Sequence, residues 1–275
     1  MKLYKYYSPQ KYNFDAVENK KLWISANKKL NDPYDLYSGR IMLQSNFSKS
    51  RTFKDKLTSA VSALNKEFRL YESLFQYIEQ FATCSFTRSC INRLMWAHYA
   101  DSFKGFCVGY ELGDYDFTSD NKWQNVTYVD HIPEGIIENR KNNKSNEVLF
   151  KSIVESISHI KEGSFFSEID EWIYKLLSYK ASAWCYEQEV RYIGQLGVHQ
   201  EGALIDFPSN MKLSEIIIGS DFDFNNLCRI EDIAEDNNMQ ILELDLNNSQ
   251  YFALNIKAYD RKEHYKKNRK FMEGR

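Results

Sequence analysis

The chain is short of the residues that interrupt regular structure. Its 275 residues include only 4 prolines and 11 glycines, and no stretch is rich in Ser, Gly or Pro. No linker therefore divides it, and we expect one domain spanning 1–275. The five cysteines (Cys84, Cys90, Cys107, Cys185, Cys228) form no CxxC pair and no zinc-ligand spacing, which points to reduced thiols and away from a disulfide framework. There is no GxGxxG, no P-loop, no GxSxG and no HExxH, so the dinucleotide-fold, P-loop, α/β-hydrolase and zincin classes lose their sequence support. No apolar run approaches the roughly 18 residues of a membrane span, and the opening "MKLYKYYSPQKYNFDAV" has no signal-peptide apolar stretch. We expect a cytoplasmic protein without a membrane partner.

Charge of neither sign dominates. With 36 Lys and Arg against 38 Asp and Glu the formal net charge is -2, which excludes a surface-wide nucleic-acid footprint. Only the C-terminal "DRKEHYKKNRKFMEGR" is locally basic, and a solvated helix is the simpler reading of it. What the chain has in quantity is apolar and aromatic side chains, 43% and 15%, enough for a sizeable core.

Periodicity divides those side chains into strands and helices. "KLYKYYS", Leu22–Ser25, "FATCSFT", "GFCVGYEL", "NVTYVDHI", "EVRYIGQ", "ALIDF", "EIIIGS", "MQILELDL" and "FALNIKAY" read as strands. A short helix carries "INRLMWAHYAD", another runs from Asn225 to Glu235, and helical insertions fall at about 50–81 and 146–179. Within the second insertion the apolar spacing gives helices over 146–160 and 168–179. The irregular alternation predicts an α+β fold with a mixed, mostly antiparallel sheet.

Three groups of residues carry candidate chemistry. Asn31, Asp32 and Asp35 surround the turn at Pro33, and Asp35 has the better claim to a function because the turn does not need it. His98 and Tyr99 lie in "WAHYADSFKG", in which Trp96 reads as core and Lys104–Gly105 as the helix exit, with Gly105 supplying a left-handed residue. Glu187 and Glu189 lie in "WCYEQEVRYIG". The expectation there is that at most one of the two faces a given cleft unless a turn or bulge at Gln188 redirects the chain. Arg191 reads as a salt-bridge partner for Glu189.

The segments "LYKYYS", "LWISANKKLNDPYD", "CSFT", "LMWAHYADSFKGFCVGYE", "KASAWCYEQEVRYIG" and "LSEIIIGSDF" together resemble a bacterial family of unknown function. Its members share an NDP-aromatic-Asp turn, a Met-Trp-x-His-Tyr segment and a Trp-x-x-Glu-x-Glu-x-Arg strand. The order of motifs also resembles, more distantly, the ADP-ribosyltransferase fold. That resemblance implies an Arg or His on the first strand, where this chain has Lys5 instead, then Ser85, Thr87 or Tyr99, and a late catalytic glutamate, here Glu189.

The resemblance implies NAD as a substrate, cleaved by an ADP-ribosyltransferase or NAD glycohydrolase. Breaking the nicotinamide–ribose bond develops positive charge on the sugar, which a fixed carboxylate stabilises. Glu189 would be that carboxylate, and Glu187 would orient or deprotonate the acceptor. Tyr6, Trp96 or Tyr99 would stack the nicotinamide; Lys5 or Arg191 would meet the pyrophosphate. The acceptor would be protein, nucleic acid, a small molecule or water. Such chemistry suits a toxin or a phage-defence component held in check by a neutralising partner protein. Two rival readings are a non-enzymatic ligand- or partner-binding module, and a metal-dependent hydrolase or nuclease built on Asp32, Asp35, Glu187 and Glu189.

Overall fold

The computed structural model describes residues 1–26, 29–30, 32, 35, 78–113, 122–130, 173–174, 177–197, 200–246, 254–264 and 266. Their strands are β1 (Lys2–Tyr7), β2 (Lys21–Ala26), β3 (Phe81–Thr87), β4 (Phe106–Leu112), β5 (Trp123–Asn125), β6 (Thr127–Val129), β7 (Tyr179–Ala181), β8 (Glu189–Gln195), β9 (Gly202–Asp206), β10 (Met211–Ile218), β11 (Gln240–Asp245) and β12 (Asn255–Ala258). The helices are α1 (Lys11–Glu18), α2 (Arg93–Tyr99) and α3 (Leu227–Asp236).

A ten-stranded sheet runs β12-β11-β10-β4-β1-β3-β2-β9, with β8 paired to β3 and β5. The β10–β11 pair is parallel and its other pairs are antiparallel; a separate small sheet joins β6 to β7 in parallel. The fold is α+β with a mixed, mostly antiparallel sheet.

Strand β4 runs through the middle of the sheet, and its sequence FCVGYEL is nearly continuously apolar because both faces are covered. On one side, Phe106, Val108, Tyr110 and Leu112 join Leu3, Tyr7, Phe14 of α1 and Ile230 of α3. Phe14 stacks on Phe106 at 4.8 Å, and Arg229 lies 5.3 Å above the Phe14 ring. On the other side, Cys107 packs with Tyr6, Met95, Trp96 and Ile217. Trp96 is fully buried and its indole donates to the Cys90 carbonyl at 2.8 Å.

Several details differ from the sequence reading. The stretch 125–132 is broken at Val126, whose N–H donates to the Glu189 carbonyl, so β5 and β6 serve different sheets. Helix α1 was not foreseen; its eight residues bury only Phe14, Ala16 and Val17, too short a pattern to register as a period. The exit from α2 is left-handed at Asp101, Ser102 and Phe103. Gly105 serves close approach instead, since a Cβ there would lie 2.0 Å from the Tyr7 carbonyl oxygen. Of the helical insertions only 78–81, 173–174 and 177–179 are described, and Tyr179 already belongs to β7. The helix expected at 146–160 lies outside the described residues.

Candidate active site: a buried ion cluster at the floor of a cleft

The residues before β8 set the site. Ser182–Glu187 winds into a 3-10 turn, and the following Gln188 is left-handed at φ 45° and ψ 48°. Glu187 therefore ends the turn, Glu189 begins the strand, and both carboxylates meet the ammonium of Lys180. The expectation that at most one would face a cleft fails for two reasons. Positions two apart on a regular strand share a face in any case, and the turn at Gln188 redirects the chain.

The contacts in this cluster are reciprocal. Lys180 Nζ donates to Glu187 Oε2 at 2.5 Å and to Glu189 Oε2 at 3.0 Å, and lies 3.4 Å from Asp35 Oδ2. Arg191 Nε and Nη2 bond the two oxygens of Glu189 at 2.8 and 3.0 Å. Arg191 Nη2 also reaches both Asp35 oxygens, at 2.8 and 2.7 Å, and Nη1 donates to the Leu177 carbonyl. Tyr99 closes the set by donating to Glu187 Oε1 at 2.5 Å. Outside it, the Glu189 N–H donates to the Tyr128 hydroxyl at 2.8 Å. All five charged side chains are buried, so each ion is retained only because its partners replace water.

Three carboxylates and two cations do not balance, and the two glutamates respond in opposite ways. Burial raises the Glu187 carboxyl, and Lys180 and Tyr99 offset only part of that, so it titrates above the ordinary range. Burial acts on Glu189 too, but Arg191 and then Lys180 outweigh it and bring that carboxyl down to about 2. Lys180 is itself raised: burial works against its charge, and Glu189, Asp35 and Glu187 more than compensate. The site thus holds one firmly ionised carboxylate beside one that accepts a proton more readily, the division of labour typical of acid–base pairs.

Above the cluster the sheet opens. One edge of β3 pairs with β8 along its length, Phe81–Thr87 against Glu189–Gln195. The other edge pairs with β2 at Ala82 and Thr83 and with β1 at Thr87. Between those ends Lys5 Nζ donates to the Ser85 carbonyl at 3.1 Å. A cleft of about 630 Å³ lies here, lined by Lys5, Tyr6, Ser85, Thr87, Asp32, Asp35, Tyr99, Lys180, Trp184, Glu187 and Glu189 among others, a size suited to a small-molecule ligand.

Most of the anticipated site residues thus meet in one place. Tyr6 reaches the cleft but is packed edge-on against Trp96, with its hydroxyl donating to the Ser89 carbonyl. Trp96 is core. Arg191 lies beneath the floor, holding the carboxylates. His98 does not line the cleft; it is exposed, its ring 6.2 Å from Tyr186. Asn31 lies outside the described residues. Asp35, Glu187 and Glu189 gather around the ammonium of Lys180 and the guanidinium of Arg191, which balance most of their charge. Among the described residues no three His, Cys, Asp or Glu are grouped so as to hold a metal ion.

The assembled cluster draws most of its members from a single stretch of chain. Residues 95–192 match the model of a family described as "Protein of unknown function (DUF2971)". That stretch carries Tyr99, Lys180, Glu187, Glu189 and Arg191, while Lys5, Asp35, Ser85 and Thr87 come from before it. No curated protein and no solved structure matches the chain. Lys180 and Tyr128 are not among the expected site residues: Lys180 heads the segment "KASAWCYEQEVRYIG" but precedes its Trp-x-x-Glu-x-Glu-x-Arg pattern, and Tyr128 sits in no motif. The nearest signal for Lys180 was its place seven residues before Glu187 in a segment otherwise rich in aromatics.

Proposed function

We propose that the protein cleaves the bond between nicotinamide and ribose in NAD and passes ADP-ribose to an acceptor or to water. The observation that carries this reading is one cleft lined by Lys5, Tyr99, Glu187 and Glu189, with the two glutamates pushed in opposite protonation directions. Ionised Glu189 would stabilise the positive charge that develops at the ribose C1′ as nicotinamide departs with the bonding electron pair. Glu187, with its raised affinity for a proton, would take the proton of the acceptor as the new bond to C1′ forms. Arg191 and Lys180 act by holding these carboxylates in place.

This reading makes the protein an NAD-consuming toxin or phage-defence component of the cytoplasm, kept in check by a neutralising partner. Purified protein incubated with NAD should release nicotinamide, and Glu189→Gln should lower the rate by about 10²–10³-fold, the range for losing one preorganised electrostatic group. No nicotinamide release together with no thermal shift by NAD would sink it.

A second reading has its own support. Both oxygens of Glu189 are already bonded to Arg191 and Lys180, as in a rigid ligand-binding module that performs no chemistry. In that case NAD or another ligand would raise the melting temperature without turnover, and Glu189→Gln would weaken binding and change no rate.

A further inference from the structure

The ion cluster explains the floor of the cleft and leaves its mouth unexplained. Alternate residues of a strand share a face, and Lys21, Trp23 and Ser25 of β2 all line the cleft. Across the ladders Trp23 faces Leu204 of β9 and Ser25 faces Thr83 of β3. Trp23 is 49% exposed.

An indole on an open surface is ordinarily free to move; this one is held. Its Nε1–H donates to Ser25 Oγ at 2.9 Å. Its ring also occupies the space beside Gly202, where any Cβ would come within 2.3 Å of Cζ2. The hydrogen bond and the missing side chain fix the ring while leaving about half of it uncovered.

Two further observations say what the ring is for. Thr83 is 3% exposed and lines the cleft, yet its hydroxyl has no hydrogen-bond partner among the described residues, and buried hydroxyls are normally paired. Lys21 and Lys29 stand at the same mouth, in exposed pairs with Asp206 and Glu201. Exposed pairs of this kind are weak and exchange readily for a stronger anion. A fixed aromatic face, a waiting hydroxyl and two exchangeable ammoniums together match a base, a sugar and a phosphate.

We propose that Trp23 is the stacking platform of a purine-nucleotide subsite, with the base on the indole, the sugar hydrogen-bonded to Thr83 and the phosphate met by Lys21 and Lys29. Placing the adenosine half of NAD there rests on the reading above; the stacking itself does not require cleavage.

The test is titration of the full-length protein with AMP, ADP-ribose and ribose 5-phosphate, in wild type, Trp23→Ala and Trp23→Phe. Base–aromatic stacking of about 1–3 kcal/mol per base translates into a loss of roughly 5- to 150-fold. Trp23→Ala should weaken AMP and ADP-ribose by that factor, Trp23→Phe should retain most of the affinity, and ribose 5-phosphate should bind all three alike. Wild type that fails to bind AMP, or Trp23→Ala that binds it as well as wild type, overturns the inference. The two proposals separate cleanly. Trp23-dependent AMP binding without nicotinamide release keeps the subsite and defeats NAD cleavage; nicotinamide release with an unchanged KM in Trp23→Ala does the reverse.

Discussion

The buried charges beside β8 and those beside β11 face the same physical difficulty and meet it differently. At β8 each oxygen of Asp35, Glu187 and Glu189 has a donor from Lys180, Arg191 or Tyr99. At β11, Glu243 meets the half-exposed Lys257 through one oxygen at 3.2 Å. Its other oxygen is 3.5 Å from His264 Nδ1, and neither atom makes a hydrogen bond among the described residues. The first arrangement fixes five side chains relative to one another at the bottom of a cleft. The second only tethers the start of the C-terminal segment, whose His264 is buried while Arg261, Lys262 and Glu263 are exposed. Full reciprocity is what a site needs; a tether can do with less.

The contrast can be broken most forcefully at Arg191. Arg191→Met leaves Glu189 and Asp35 buried without their main partner and should cost about 3–5 kcal/mol, measured by urea unfolding. A loss below about 1 kcal/mol would mean that the cluster does not hold the fold. Acid titration probes the same place more gently. Because the Glu189 carboxyl is held down at about 2 against an ordinary 4.5, its contribution is present above pH 4.5 and is lost as pH falls toward 2. The difference corresponds to about 3 kcal/mol, and this part of the acid dependence should vanish in Glu189→Gln.

At the other cluster, His264→Ala should cost only about 1–2 kcal/mol in the same unfolding measurement, chiefly through lost packing. It should leave the cleft's ligand affinity untouched; a change there would couple the two regions. Smallest is Glu187→Gln. Since burial raises Glu187, its ionisation costs the folded state stability as pH climbs above 4.5. The amide should flatten the stability profile above that pH and change stability at pH 7 by less than about 1 kcal/mol. A larger loss would show that the Lys180–Glu187 bond outweighs the burial cost.

The strands around this site were legible because their apolar patterns are long and bounded: "FATCSFT", "GFCVGYEL" and "EVRYIGQ" match β3, β4 and β8 closely. Glu187, Glu189, Asp35 and Tyr99 were legible as polar residues that no regular element required. Lys180 was not, because one lysine in "YKASAW" is unremarkable until the fold sets three carboxylates around it. Nor was the way β1 and β2 take opposite ends of one β3 edge, since pairing choices depend on distant partners and leave no local period. His98 had looked like Tyr99's companion, but helical neighbours are about 100° apart, and only Tyr99 turns inward.

The reciprocal cluster also has a history in time. Asp35 and Arg191 are 156 residues apart along the chain, Tyr99 and Glu187 are 88 apart, and Lys5 and Ser85 are 80 apart. Contacts of such span form only after large loops close, and a chain is synthesised from its N-terminus onward. While the first half leaves the ribosome, Lys5 can already meet Ser85, but Asp35 and Tyr99 lack Arg191 and Glu187. Assembly of the floor waits for β8, so an unfinished copy of this chain holds Asp35 and Tyr99 without the partners that fix them.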